Sequence, residues 1–372
     1  MADEWIGIAQ TTRHEYMKGA SDQTLRSRLL LAMLKRRGRV EYNCSGDECR
    51  WQVEFSQPAV SSYGDGGVVD FSNHDAYRQL GVDWRGYIAT DTMTQKQRQM
   101  NSGEEQLVSV YENKQNNLMK SIKDNFCGEL YKDGSAADRE NNVHGVETFL
   151  GDDGATVVAD RVAAPSDTYG VTSPSTVPGT LGGSWTAVGT SPSAQLATDW
   201  PDGQGDSEWD YLSPKLINWS STSWGTGTNT WEANCWRVIS QAITWLTLTG
   251  DKDGMPTLLP MAGNLFQGYK NAQEVKTRIN VPHKESQDLG FGQTLNQDGV
   301  GLYADFDCPI NTAYALNLST IKIKSLFPQL FWGEGPDKDP RTAWSYLFGV
   351  GFYGNVTYNP KHVAKMYNYA AS

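Results

Sequence analysis

Three groups of residues have the types and spacing to do chemistry. Cys44 and Cys49 bracket Ser45-Gly46-Asp47-Glu48, between the alternating runs Val40/Tyr42 and Trp51/Val53/Phe55. Closed as a hairpin, this stretch would bring the two sulfurs to disulfide separation; left open, it carries two unpaired thiols. A zinc site has less to draw on, because no second cysteine pair and no histidine lies nearby in sequence. Trp200, Trp209, Trp219, Trp224, Trp231, Trp236 and Trp245 crowd one stretch beside Asp199, Asp202, Asp206, Glu208 and Asp210. Indole faces stack on sugars and paired carboxylates cleave glycosidic bonds, so a carbohydrate-binding protein or glycoside hydrolase is one reading. The other is that these rings fill an irregular core and protein–protein seams. No acid pair stands out, and Trp236 lies on the apolar stripe of a helix, which favours the second. Gly349-Val350-Gly351-Phe352-Tyr353-Gly354 has the dinucleotide-fingerprint spacing, but Tyr358-Asn359-Pro360 follows where a helix should. Glycines in an aromatic strand instead permit a bend or a close backbone approach.

Other catalytic patterns do not form. The five histidines (His14, His74, His144, His283 and His362) are scattered. Asp251-Lys252-Asp253-Gly254 opens like a calcium loop, but the Glu that should close it is missing. No phosphate loop, zinc-protease helix or nucleophile elbow is present. The sequence therefore implies no enzyme, cofactor or metal. One charge feature runs against the whole chain: Arg26, Arg28, Lys35, Arg36, Arg37 and Arg39 occur with no acid among them. They could face DNA or an acidic partner, or flank a helix in solvent.

The elements that position these residues follow from periodicity. Ser21 or Asp22 offers an N-cap, Leu25, Leu29, Leu30, Met33 and Leu34 recur at helical spacing, and Gly38 supplies the stop. From Val40 to about Met93 the pattern is strand-like, broken by Tyr63-Gly64-Asp65-Gly66-Gly67, and Val82/Trp84 with Tyr87/Ile88 reads as a returning strand. Such a long hairpin is marginal alone and needs something to lie on. Ser102 and Glu105 form a capping box ahead of Leu107, Tyr111, Leu118, Ile122, Phe126 and Leu130, predicting a helix over 103–131 that spans the back of a sheet. Residues 151–230 read as loops and short strands, Trp231–Leu248 as a second helix, and Trp344–Tyr358 as an aromatic closing strand. This is α+β rather than alternating βαβ.

With 372 residues, 38% of them hydrophobic, the chain can bury a sizeable core in one large or two modest domains. No apolar run approaches a membrane span and no secretory leader is visible, so the expectation is a soluble, cytosolically made protein with free thiols. A net charge of −11 argues against an overall nucleic-acid-coating surface.

Taken in order, these features resemble the major capsid proteins of tailed bacteriophages, with the Hong-Kong-97-type shell fold. Ser21 to Leu30, then Lys35-Arg36-Arg37-Gly38-Arg39-Val40 and Trp51-Gln52-Val53-Glu54-Phe55, are similar to the opening of one branch of that family. Glu129-Leu130-Tyr131-Lys132-Asp133-Gly134 is similar to the end of its spine helix. Gly299 to Asp305 with Cys308-Pro309-Ile310-Asn311 to Asn317, and Tyr353 to Lys361, are similar to its C-terminal strands.

The resemblance implies an N-terminal arm and short helix at 1–39 and an extended loop (E-loop) at 40–94. It further implies a peripheral domain with a spine helix at 95–160, an axial domain at 161–340, and a return strand to the peripheral domain at 341–372. It implies a virion protein assembled in the host cytoplasm, its partners being copies of itself in hexamers and pentamers, a separate scaffolding protein, a portal, a decoration protein and packaged double-stranded DNA. Membranes are not among them.

Overall fold

The computed structural model describes residues 28–54, 58, 60–67, 71, 77–100, 110–134, 138–150, 157–158, 161–162, 215–219, 230–249, 254–275, 294–339, 344–358 and 362–368. Leu29, Leu30, Leu31, Met33 and Leu34 are all buried on the first described helix, α1 (Leu29–Arg36). The caps expected at Ser21 or Asp22 lie outside the described residues, and Arg28 holds the N-cap position. The stop is as expected. Gly38 adopts φ +65°, Arg39 N–H donates to the Leu34 carbonyl at 2.9 Å and Gly38 N–H to the Lys35 carbonyl at 3.0 Å, completing a Schellman motif.

The chain continues through β1 (Val40–Glu41), β2 (Glu48–Glu54), β3 (Tyr77–Asp83), β4 (Arg85–Thr94), α2 (Gln95–Met100) and the long helix α3 (Val110–Glu129). Next come α4 (Glu147–Leu150), β5 (Val157–Val158), β6 (Arg161–Val162), β7 (Lys215–Asn218), α5 (Trp231–Thr249), β8 (Leu258–Met261) and α6 (Gly263–Val275). The last elements are β9 (Thr294–Gln297), β10 (Val300–Ala304), β11 (Ala313–Ala315), β12 (Lys322–Ser325), β13 (Trp332–Lys338), β14 (Ser345–Thr357) and β15 (Ala364–Tyr367). The capping box at Ser102 lies outside the described residues. Among the described residues, no helix is long and apolar enough to cross a membrane.

The chain divides into two units. The first takes its described residues from 87–126 and 329–352. Here β13 pairs antiparallel with β14, Trp332 opposite Gly351, and the register shifts between Glu334 and Asp337. The stripe of α3 packs on these strands: the Phe126 ring lies 4.7 Å from Phe352 and 5.8 Å from Phe331.

The second unit takes its described residues from 28–86, 127–328 and 353–368. Its six-stranded sheet runs β7-β15-β11-β8-β10-β9. Ile239, Ala242, Ile243 and Leu246 of α5 are buried in one cluster with Leu259, Leu302, Ala313 and Met366 of the sheet, and Trp236 packs against its margin. β1 pairs parallel with β12, which pairs antiparallel with the last residues of β14. β2 and β3 form an antiparallel hairpin, Glu48 opposite Asp83 and Glu54 opposite Tyr77. Helices and sheets are mixed, as the α+β expectation has it, yet β7-α5-β8-α6 alternates locally.

Candidate assembly surface

The hairpin β2–β3 is fastened at its base. Trp84 donates its Nε1–H to the Gly46 carbonyl at 2.8 Å, closing the ribbon behind Asp83. Asn355 of β14 is fully buried and works in two directions. Its Nδ2 donates to the Asp83 carbonyl at 2.7 Å, while its Oδ1 accepts the backbone N–H of His144 at 3.2 Å and of Val356 at 2.8 Å. One residue on, the Arg85 guanidinium donates from Nη1 to the carbonyls of Gly134 and Asn142.

Both groups of contacts reach the segment that folds back beneath the end of α3. Val146 N–H bonds the Leu130 carbonyl at 2.8 Å, and the Glu129 carboxylate accepts from Lys132, Asn142 and Arg139. The turn is backbone against backbone. A Cβ on Gly145 would stand 2.3 Å from the Lys132 carbonyl oxygen and 2.4 Å from that of Glu129, so only glycine fits. Burial and the adjacent Arg85 charge push His144 down to a pKa of about 3, which keeps its imidazole neutral.

Beyond the base the ribbon has little of its own to bury. Cys49, Leu80 and Val82 are covered, but Tyr77 is exposed, and further out Val60 is 100% exposed, Phe71 93% and Tyr63 73%. Tyr77 on β3, with Val60, Tyr63 and Phe71 in the segment that joins the two strands, leave apolar groups in water, the kind of surface on which interaction sites form.

The sequence expectations meet this geometry unevenly. Val40–Glu41 pairs with Ile323–Lys324 and Glu48–Glu54 with Tyr77–Asp83, so the short hairpin that would have faced Cys44 with Cys49 does not form. Both cysteines are free thiols, and burial raises the pKa of each. The basic run is divided. Arg26 lies outside the described residues. Arg28 is buried in an ion pair with Asp307, beneath the Phe306 ring at 6.0 Å, and does not face solvent. Lys35 and Arg36 are exposed, and Arg37 and Arg39 are half-buried. Behind Arg28, Asp305 accepts from Tyr131 Oη at 2.9 Å and Tyr303 Oη at 3.4 Å. Burial raises the pKa of Asp305 even against those hydrogen bonds and the Arg28 charge.

The decoy motifs resolve as structure. Gly349 to Gly354 lie inside β14, and a Cβ on Gly351 would stand 2.8 Å from the Trp332 ring, the close approach that spacing in an aromatic strand permits. Of the tryptophan group, Trp219 and Trp231 are buried in the core of the second unit. Trp200, Trp209 and Trp224, and all five acids named beside them, lie outside the described residues, as do His14, His74, His283 and Asp251-Lys252-Asp253. Among the described residues no group of side chains could hold a metal ion. Sequence reasoning missed the base of the hairpin altogether, because Asn355, Arg85 and Asn142 are far apart in the chain and share no motif.

The whole architecture has close counterparts among solved structures. It superposes on the capsid asymmetric unit of cyanophage A-1(L) with a TM-score of 0.57 at 12% identity, covering 96% of this chain and 97% of that one. The capsid of the Myoviridae phage XM1 gives 0.53 at 10% identity, over 96% and 97% of the two chains. This is the Hong-Kong-97-type capsid fold. The capsid fold also extends to the holo-SrpI encapsulin complex from Synechococcus elongatus, with a TM-score of 0.50 at 10% identity over 98% of this chain and 94% of that one. At these identities sequence similarity carries nothing, and no protein-family model matches the chain. No curated protein matches it either.

Proposed function

We propose that this chain is the major capsid protein of a tailed bacteriophage, a structural, non-catalytic subunit that assembles into the hexamers and pentamers of an icosahedral shell around double-stranded DNA. The observation that carries the reading is the capsid fold itself, matched over 96% of this chain. The exposed apolar tip of the hairpin supports it, since closed shells are built from heterologous contacts in which one subunit's projection meets another's body. In this reading 1–39 is the arm, 40–94 the extended loop, 95–160 with 341–372 the peripheral domain and 161–340 the axial domain. Partners are further copies, a separate scaffolding protein, a portal, a decoration protein and the packaged genome, and the protein resides in the virion.

The test is size-exclusion chromatography with negative-stain microscopy of the purified chain, alone and with its scaffolding protein. Rings or closed particles are expected; a stable 41.2 kDa monomer under both conditions refutes the reading. Because an encapsulin shares the fold, particles alone support a shell, and nuclease-protected DNA inside virions carries the rest. We also assign the DNA-facing role to Lys35, Arg36 and Arg37 at the end of α1, without the buried Arg28. Charge reversal of Arg36 and Arg37 should flatten the salt dependence of DNA retention by about two counterions. An unchanged slope removes the assignment.

A further inference from the structure

The six-stranded sheet carries a crevice at the carboxyl ends of two of its strands. β7 is parallel to β15, β15 antiparallel to β11, and β11 antiparallel to β8, so β7 and β8 run the same way. Each leads into a helix, β7 into α5 and β8 into α6. Crevices beyond the carboxyl ends of such strands, where helix N-termini converge, are where open sheets of this kind take ligands.

A cavity of about 260 Å³ occupies that position. Trp219 at the end of β7, Trp231 and Glu232 opening α5, Asn264 and Leu265 opening α6, and Asn311 line it. The two indoles meet edge to face at 5.5 Å. Trp231 Nε1 donates to the Leu265 carbonyl at 2.8 Å, but Trp219 Nε1, on a residue only 5% exposed, has no acceptor among the described residues. The N–H groups of Asn264 and Leu265 precede the first intrahelical bond of α6, which Phe266 N–H makes to the Ala262 carbonyl at 3.0 Å. Asn264 donates its Nδ2 to Asn311 Oδ1. Glu232 is steadied by Asn271 Nδ2 at 3.0 Å over Gly268, where a Cβ would come within 3.0 Å of Trp231 Cδ1 and 3.4 Å of Glu232 Cγ.

These groups specify the ligand's chemistry. The Trp219 indole N–H and the first-turn amides call for acceptors, and the Glu232 carboxylate calls for a donor. Among the described residues no Lys, Arg or His lines the cavity to neutralise an anion beside Glu232, and the indoles favour a C–H surface. A hydroxylated, uncharged ring supplies all of this at once. We propose that the crevice binds a single neutral sugar residue, with its hydroxyls bridging Trp219 Nε1, the α6 amides and Glu232. It binds without cleaving, because one lining carboxylate cannot provide the acid–base pair of glycoside hydrolysis.

Saturation-transfer NMR and tryptophan fluorescence on the full-length chain, titrated with the methyl glycosides of glucose, galactose, mannose and N-acetylglucosamine, test this. At least one glycoside is expected to bind saturably, with Kd on the order of 1 mM. Trp219→Phe keeps an aromatic ring and loses the donor, and it should weaken binding about tenfold. Glu232→Gln changes an exposed side chain, and it should weaken binding by a similar, roughly tenfold, factor. Particle formation, read in the same samples, should stay at the parental level in Glu232→Gln, which separates this site from the shell reading. Three results overturn the proposal: no saturable glycoside binding up to roughly 50 mM, glycoside binding unaffected by both substitutions, or saturable binding of sulfate or acetate that tightens in Glu232→Gln.

Discussion

Replacing Asn355 with alanine probes the base of the hairpin directly. The substitution removes one donor, to Asp83, and one acceptor shared by the N–H groups of His144 and Val356, at a site with no access to solvent. Each lost hydrogen bond is worth about 0.5–1.5 kcal/mol net, and each buried group left without a partner costs about 1–3 kcal/mol. Three such bonds are lost together, so the expected loss is about 1.5–4.5 kcal/mol, or roughly one to three orders of magnitude in the local opening equilibrium. Hydrogen exchange resolved over residues 77–94 and 138–150 is the assay, with urea unfolding alongside. The His144 amide and the hairpin base should lose protection together, while α5 and α6 should be affected far less. Exchange at both segments and a urea midpoint matching the parent would refute the reasoning and show that the base is held by something else.

Further expectations concern packing and pH. Gly351→Ala should displace the Trp332 ring and destabilise the first unit by about 1–3 kcal/mol, read from near-ultraviolet circular dichroism and thermal unfolding. His144 has its folded-state pKa lowered from 6.5 to about 3, so the stability it contributes is complete above about pH 6.5 and is lost as the pH falls toward 3. His144→Gln should flatten that acid limb in urea titrations. Asp305 has its folded-state pKa raised, so the parent loses stability as pH rises through that value. Asp305→Asn, which still accepts from Tyr131, should therefore gain on the parent as the pH rises above the free carboxylate's value of 3.8, and a difference that stays constant with pH would contradict the burial argument.

What was legible in the sequence was whatever depends on local period. The stripe of α1, the stripe of α3 from Ile122 through Phe126, the inward face of α5 and the aromatic run of β14 all announce themselves at spacings of four or two. The stop at Gly38 was legible because a left-handed residue after a basic last turn has one structural meaning. Helix α6 was not: Gly268 interrupts it, Ala262 supplies no capping side chain, and its helix-forming residues are mostly polar. The pairing of β2 with β3 agrees with the long hairpin whose returning strand is read at Val82, whereas the departure of Val40–Glu41 to pair with Ile323–Lys324 depends on a contact almost three hundred residues away that no local pattern encodes. The division of the basic run was equally hidden, since nothing near Arg28 shows that Asp307 will claim it. For the same reason Asn355 looked like any polar residue following a glycine.

The outer part of the ribbon has one more consequence. Between Val60 and Phe71 the apolar residues are broken by Ser61, Ser62, Gly64, Asp65, Gly66, Gly67 and Asp70, so no apolar run there exceeds the pair Val68-Val69. In the proposed shell, such a segment would reach its partner surface without offering stray chains the long apolar template from which fibres grow.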